Sequence, residues 1–166
     1  MTLILGIDPG LQHTGWGVVL ARANQLSFIA CGIIHTDAKK PMPERLCQLH
    51  DGLKQVIELH KPDEAAVEET FVNKNSATSL KLGQARGAIM LSVSLEQIPI
   101  FEYGANLVKK SVVGSGHADK EQVAMMVKTL LPASNAMGPD AADALATAIC
   151  HAHQRTVNNL VKKVGT

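Results

Sequence analysis

The sequence predicts an α/β protein built on a mixed five-stranded sheet flanked by helices. Three observations carry this. The chain opens with three apolar strand patterns joined by short turns, which describes an antiparallel meander. It continues with segments of helical period alternating with short apolar runs, and it closes on helices. Strands interleaved with helices in this order make a layered architecture with both antiparallel and parallel pairs.

The elements follow in order. Leu3 to Asp8 is a short apolar run stopped by Asp-Pro-Gly, a strand ended by a turn. Thr14 to Arg22 and Leu26 to His35 read as the second and third strands, with Ala23-Asn24-Gln25 between them. Lys40-Pro41-Met42-Pro43 breaks the pattern. Leu46, Leu49, Leu53, Val56, Ile57 and His60 then recur at helical spacing, so a helix runs from about Pro43 to His60, and Pro62 ends it. Ala65 to Glu69 is a fourth strand and Phe71 to Ala77 a polar loop. A second helix spans Thr78 to Glu96, and its part Ala88 to Leu95 is apolar nearly all round, which implies burial on more than one side. Ile98 to Tyr103 is a fifth strand. Helices follow at Ala105 to Val112, Asp119 to Leu131 and Asp140 to His153, the first two separated by the loop Gly114-Ser115-Gly116. Residues 1–153 form one domain, and the polar, weakly patterned tail 154–166 is expected to be disordered.

Composition bounds the function. A chain of 166 residues with 46% apolar residues can bury a core without disulfides. Cys31, Cys47 and Cys150 are odd in number, fit no metal or redox spacing, and read as buried free thiols of a reducing compartment. The start MTLILGID has no basic leader and no long apolar run, so the expectation is a cytoplasmic protein with no membrane span. Net charge is only +1. Its distribution is uneven: Lys74, Lys81 and Arg86 stand between Thr70 and Leu95 with no acid, as do Lys109 and Lys110 between Tyr103 and Ala118. Such stretches fit either a one-sided polyanion-binding face or an ordinary solvated surface.

Four carboxylates carry the chemistry. Asp8 ends the first strand and Glu68 lies near the end of the fourth, where ligands of an α/β sheet bind. If those strands pair in parallel, the two acids are neighbours. Asp140 and Asp143 share one face at a helix start. Taken singly, Asp8 reads as a turn residue, and Asp140 and Asp143 as a cap and a first-turn acid. Glu68 is different, because an acid in the apolar strand Ala65-Ala66-Val67 is costly unless paired or metal-bound. Four acids brought together repel, and two divalent cations cancel that charge. Oxygen ligands suit Mg²⁺ or Mn²⁺. Two such ions, roughly 3.5–4 Å apart, stabilise the entering and leaving oxygens of a phosphoryl displacement.

Seven segments together resemble a known family. They are Gly-Ile-Asp-Pro-Gly at 6–10, Thr-Gly-Trp-Gly at 14–17, Val-Glu-Glu-Thr-Phe at 67–71, Asn-Lys-Asn at 73–75, Lys-Leu-Gly-Gln-Ala-Arg-Gly at 81–87, Val-Lys-Lys-Ser-Val-Val-Gly at 108–114 and Asp-Ala-Ala-Asp-Ala-Leu-Ala at 140–146. The chain resembles the RuvC family of crossover-junction (Holliday junction) endodeoxyribonucleases from about Leu3 to His153. The resemblance implies an RNase H-like fold, a homodimer, and nicking of two like-polarity strands of four-way junction DNA to leave 5′-phosphate ends, in recombination and repair. It also implies two Mg²⁺ ions per subunit, with Mn²⁺ able to substitute, and the RuvA–RuvB branch-migration complex as partner. The family's acidic positions fall on Asp8, Glu68, Asp140 and Asp143.

The resemblance also sorts the DNA-binding candidates. Phe71 reads either as a hydrophobic staple before the second helix or as a platform for an unpaired base, and the resemblance favours the platform. Asn73 and Lys74 share its loop as backbone contacts. Lys109 and Lys120 match basic positions near the scissile phosphate, where they would orient DNA or stabilise developing charge. Gly83 and Gly87 weaken their helix by about 1 kcal/mol each relative to alanine. Close packing against a dimer mate or DNA explains them. The seven histidines show no zinc spacing, and His151 and His153 read as structural or surface groups. An actin-like ATP-binding protein also opens on a strand ending in Asp-x-Gly, but needs two such domains and far more chain. An RNase H-like nuclease acting on RNA, and a non-catalytic junction-binding module, fit the later motifs and the intact acids less well.

Overall fold

A computed structural model of the chain describes residues 1–69, 75–134 and 138–164, with side chains described as far as Arg155. The elements are β1 (Thr2–Asp8), β2 (His13–Arg22), β3 (Gln25–His35), α1 (Met42–His60), β4 (Glu64–Glu68), α2 (Ser76–Leu95), β5 (Ile100–Tyr103), α3 (Ala105–Val113), α4 (Lys120–Leu130) and α5 (Pro139–Val164). The strands form one sheet in the order β3-β2-β1-β4-β5. β1, β2 and β3 pair antiparallel, while β4 pairs parallel to both β1 and β5.

Every expected element is present, and most boundaries move by a residue or two for local reasons. α2 starts at Ser76 because the Asn75 side chain caps it, accepting from the backbone N–H of Ala77 and Thr78. β5 starts late because a turn at Gln97 (φ 59°) precedes Pro99, which has no N–H to pair. The last helix is the exception. The pattern predicts an end at His153, but the helix continues to Val164, and Arg155 Nε reaches Glu64 Oε2 at 2.6 Å.

Strand alternation divides the core into two layers. Leu5, Ile7, Val18, Ala65 and Val67 face α1 and α2, packing on Leu49, Leu53, Ile57, Ala85 and Ile89. Ile4 and Val19 face the other way, onto Val108, Val123, Leu145 and Ile149 of α3, α4 and α5. The cysteines divide as well: Cys150 is buried, Cys31 is half-buried and Cys47 is exposed, so only Cys150 meets the expectation of a buried thiol.

α5 crosses β1 and β2 at backbone contact. A Cβ on Gly6 would lie 2.0 Å from the Ala144 carbonyl oxygen and 2.8 Å from the Ala148 nitrogen. One on Gly15 would lie 2.0 Å from the Asp140 carbonyl oxygen. Alanines at 141, 144 and 148 keep the helix side of this contact equally thin. The substitution Gly6→Ala therefore has no flexible neighbour to move aside. It is expected to cost at least about 3 kcal/mol as an overpacked core, and so to lower the thermal midpoint by roughly 6 °C or more. An unchanged midpoint in a circular dichroism melt would contradict the contact.

Candidate active site

The site begins with the same alternation. On β1, Ile4, Gly6 and Asp8 share the face toward α5. On β4, Ala65 and Val67 face α1 and α2, so Glu68 points to the α5 side. The parallel register Ile7↔Val67 makes Asp8 and Glu68 the next residues of adjacent strands. α5 brings its first turns to the same place, because the Asp140 backbone rests on Gly15. Asp143 follows three residues later on that helix.

Asp8, Glu68 and Asp143 line one cleft of about 210 Å³ together with Lys109 and Lys120. Ala105, Val108, Val123 and Ala146 form its apolar walls. Asp140 stands outside this lining, and its charge still acts on Asp8 and Asp143.

The electrostatics are those of an under-compensated acidic site. Burial pushes the Asp8 carboxyl from its ordinary 3.8 to about 7, with the charges of Glu68, Asp143 and Asp140 adding to the rise. Burial, then Asp143, pushes Glu68 from 4.5 to about 7. Asp143 is also raised, mainly by burial, although Lys120 opposes the rise. Lys120 Nζ lies 3.5 Å from Asp143 Oδ2, with the lysine side chain 77% exposed. The ammonium group thus stays in contact with solvent while its partner carboxylate is largely buried. Its position is costly as well as deliberate. Lys120 is the first residue of α4, where the helix dipole disfavours a cation. Asp119 and Gln122 close a reciprocal capping box that fixes this terminus. Lys109 comes from α3 and lowers both Glu68 and Asp143.

The donor set fits a hard divalent cation: buried carboxylates with too little positive charge to neutralise them. Among the described residues no group of three or more His, Cys, Asp or Glu side chains is placed to hold one ion. A divalent ion there would draw on one or two carboxylates and complete its shell with water and phosphate oxygens.

A family model described as crossover junction endodeoxyribonuclease RuvC matches residues 4–151. The chain belongs to the RuvC family. The RuvC of Paramagnetospirillum magneticum is 60% identical over 152 residues, covering 92% of this chain and 92% of that protein. The RuvC of Allorhizobium ampelinum is 58% identical, covering 92% and 90%. Among solved structures, Thermus thermophilus RuvC in complex with a Holliday junction substrate superposes with a TM-score of 0.88 at 34% identity, over 95% of this chain and 97% of that one. The yeast mitochondrial Holliday junction resolvase Ydc2 shares the fold at a TM-score of 0.69 and 13% identity, over 97% and 83%. The fold is RNase H-like and the chain is a crossover junction endodeoxyribonuclease.

Of the residues singled out in the sequence, Asp8, Glu68, Asp143, Lys109 and Lys120 meet in the cleft, and Asp140 adjoins it. Phe71, Asn73 and Lys74 lie outside the described residues. Arg86 stands in the sequence only as a member of a basic stretch and of the motif at 81–87. Its guanidinium pairs with Glu102 of β5 and touches the Met90 sulfur, tying α2 to the sheet. The basic residue in a helix otherwise free of acids was visible, but its partner 16 residues away was not.

The raised carboxylates set a pH dependence. Asp8 and Glu68 have folded values near 7, above their ordinary 3.8 and 4.5, so the folded chain binds more protons across that window. Its stability without metal falls as pH rises through the window. Asp8→Asn is expected to flatten part of that fall. It should raise the metal-free midpoint near neutral pH by about 2–4 °C, on the order of 1 kcal/mol. Mg²⁺ should stabilise the wild type more than the variant. Thermal melts with EDTA and with Mg²⁺ across the window check this, and a variant less stable than wild type near neutral pH contradicts it.

Proposed function

We propose that this RuvC protein resolves four-way DNA junctions by nicking two strands of like polarity, leaving 5′-phosphate and 3′-hydroxyl ends. Asp8, Glu68, Asp140 and Asp143 would hold two Mg²⁺ ions per subunit, with Mn²⁺ able to substitute. The observation that carries the reading is the carboxylate cleft flanked by Lys109 and Lys120, in a chain this similar to RuvC proteins across most of its length. When bound, the ions supply charge neutralisation at the attacked phosphate and at the oxygens that enter and leave. Lys109 and Lys120 hold the phosphate against the carboxylates and stabilise charge that grows in the transition state. Phe71 is proposed as the stacking platform at the crossover, with Asn73 and Lys74 on the backbone. Residues 1–153 are taken as the nuclease unit.

We further infer a homodimer formed through α2. Leu80, Gly83, Gly87 and Leu91 lie on one helical stripe. Leu80 is 65% and Leu91 61% exposed, and among the described residues a Cβ on either glycine would meet no heavy atom within 4 Å. The described residues give these glycines nothing to pack on, so their open backbone suits a two-fold mate. Two sites related by that axis match two symmetric cuts. Membership of the family supports RuvA–RuvB as the partner complex. Among the described residues no helix is long and apolar enough to cross a membrane, which accords with a cytoplasmic enzyme.

Two experiments decide between these readings and their rivals. A synthetic four-way junction and a linear duplex are incubated with the protein, with Mg²⁺ or EDTA. Paired nicks are expected in the junction alone, abolished by EDTA and by Asp8→Asn, while Lys120→Ala slows cutting by about 10²–10³-fold as the loss of one charge-stabilising donor. Equal cutting of the linear duplex sinks the junction reading. In the second, Leu91→Lys is expected to convert a dimer to a folded monomer in analytical ultracentrifugation, and a monomeric wild type at micromolar concentration sinks the dimer.

A further inference from the structure

The hairpin of β2 and β3 carries a second cluster of ligand side chains, separate from the carboxylates. From the turn, the register runs Arg22↔Gln25 through Val19↔Phe28. A bulge between Val18 and Val19 then leaves Ile29 opposite no residue, and the register continues as Val18↔Ala30 to His13↔His35. Without the bulge, Ile34 would face His13. With it, two histidines stand directly opposite each other at the end of the sheet where Asp8 lies.

The pair has the closer of the two antiparallel geometries. Thr36 N–H donates to the Gln12 carbonyl at 3.2 Å, so the adjacent 12/36 pair is hydrogen-bonded and 13/35 is not. The two Nδ1 atoms are 2.8 Å apart, with the rings edge-to-face at 84°. Both side chains are exposed. Other histidines are engaged elsewhere in the fold: His50 with the Ser92 hydroxyl, His151 with Tyr103 and Glu64, His153 with the Ser111 carbonyl.

We propose that His13 and His35 form a two-imidazole site for a borderline divalent transition cation such as Ni²⁺ or Zn²⁺. Two imidazole nitrogens around such an ion, each at about 2.0–2.1 Å, stand roughly 3.3 Å apart. The pair needs to open by only a few tenths of an ångström and to turn two exposed rings. The ion takes the Nδ1 lone pair of each ring, and each imidazole then carries its N–H on Nε2. Water completes the shell, since among the described residues no third His, Cys, Asp or Glu joins the pair. Imidazole donors exclude Mg²⁺ in favour of later transition ions. The two sites therefore sort cations by chemistry: oxygen donors in the cleft, nitrogen donors on the hairpin. Arg45 Nε donates to the hydroxyl of Thr36, the next residue after His35, at 3.0 Å.

The test is titration of the untagged chain with Ni²⁺ in excess Mg²⁺, followed by calorimetry. Wild type and Asp8→Asn are expected to bind one equivalent with similar affinity. His13→Gln and His35→Gln are expected to weaken that equivalent by more than about tenfold, since even outer-shell changes can cost a metal site that much. Melts without metal confirm that each variant is folded, and two independent variants keep the test decisive. Absence of Ni²⁺ binding to wild type, equal binding by both histidine variants, or loss of binding in Asp8→Asn overturns the proposal.

Discussion

The contact between α5 and the α5-facing side of β1 and β2 positions much of the rest. Gly6 and Gly15 let the helix backbone meet the sheet with no side chain between them. That closeness decides where the acids go. Asp8 ends a strand whose α5-facing side is already occupied at Gly6, and Asp143 belongs to the helix that occupies it. A longer spacer at either glycine would lift the N-terminal turns of α5 and carry Asp143 away from Asp8. Packing density, more than any attraction between the functional groups, holds the site together, because those groups repel.

The repulsion is then managed rather than removed. Two lysines face three lining carboxylates, and the fold leaves the difference to be met from outside. Both lysines come from elements that the core already anchors. Val108 and Val112 bury one face of α3 beside Lys109, and Val123 and Val127 do the same for α4 behind Lys120. Their charges therefore sit on rigid supports although the groups themselves are partly or largely exposed. Such an arrangement keeps a site preorganised for an anion while leaving its cation demand unmet.

How much of this was legible in the sequence depends on the range of the signal. Asp8 and Glu68 could be placed because each ends a strand whose alternation is local. Lys120 and Asp143 are separated by a whole helix and a loop, and only tertiary packing brings them to 3.5 Å. Arg86 and Glu102 were hidden for the same reason. Boundaries failed where a single side chain or turn decided them, as at Asn75 and Gln97. α5 outran its expected end because its polar later half lacks the stripe that periodicity reads, while Glu64 ties Arg155 down across the sheet. The motifs shared with RuvC proteins carried the rest, since four acids in isolation have ordinary explanations as turn and cap residues.

The hairpin shows why spacing alone misses a cross-strand site. The separation of 22 from His13 to His35 fits no ligand pattern, and the pairing depends on one unpaired residue in a strand. A bulge switches which face each later side chain occupies. Leu26 and Phe28 pack toward α5 before it, and Cys31 does so after it. Ile34 thereby enters the opposite layer with α1, and Ile29 is left 42% exposed. The register change is thus demanded by the core: it buries Ile34 and aligns the α5-facing side of β3. The histidine pair follows from that alignment, at the end of the sheet where the carboxylates lie.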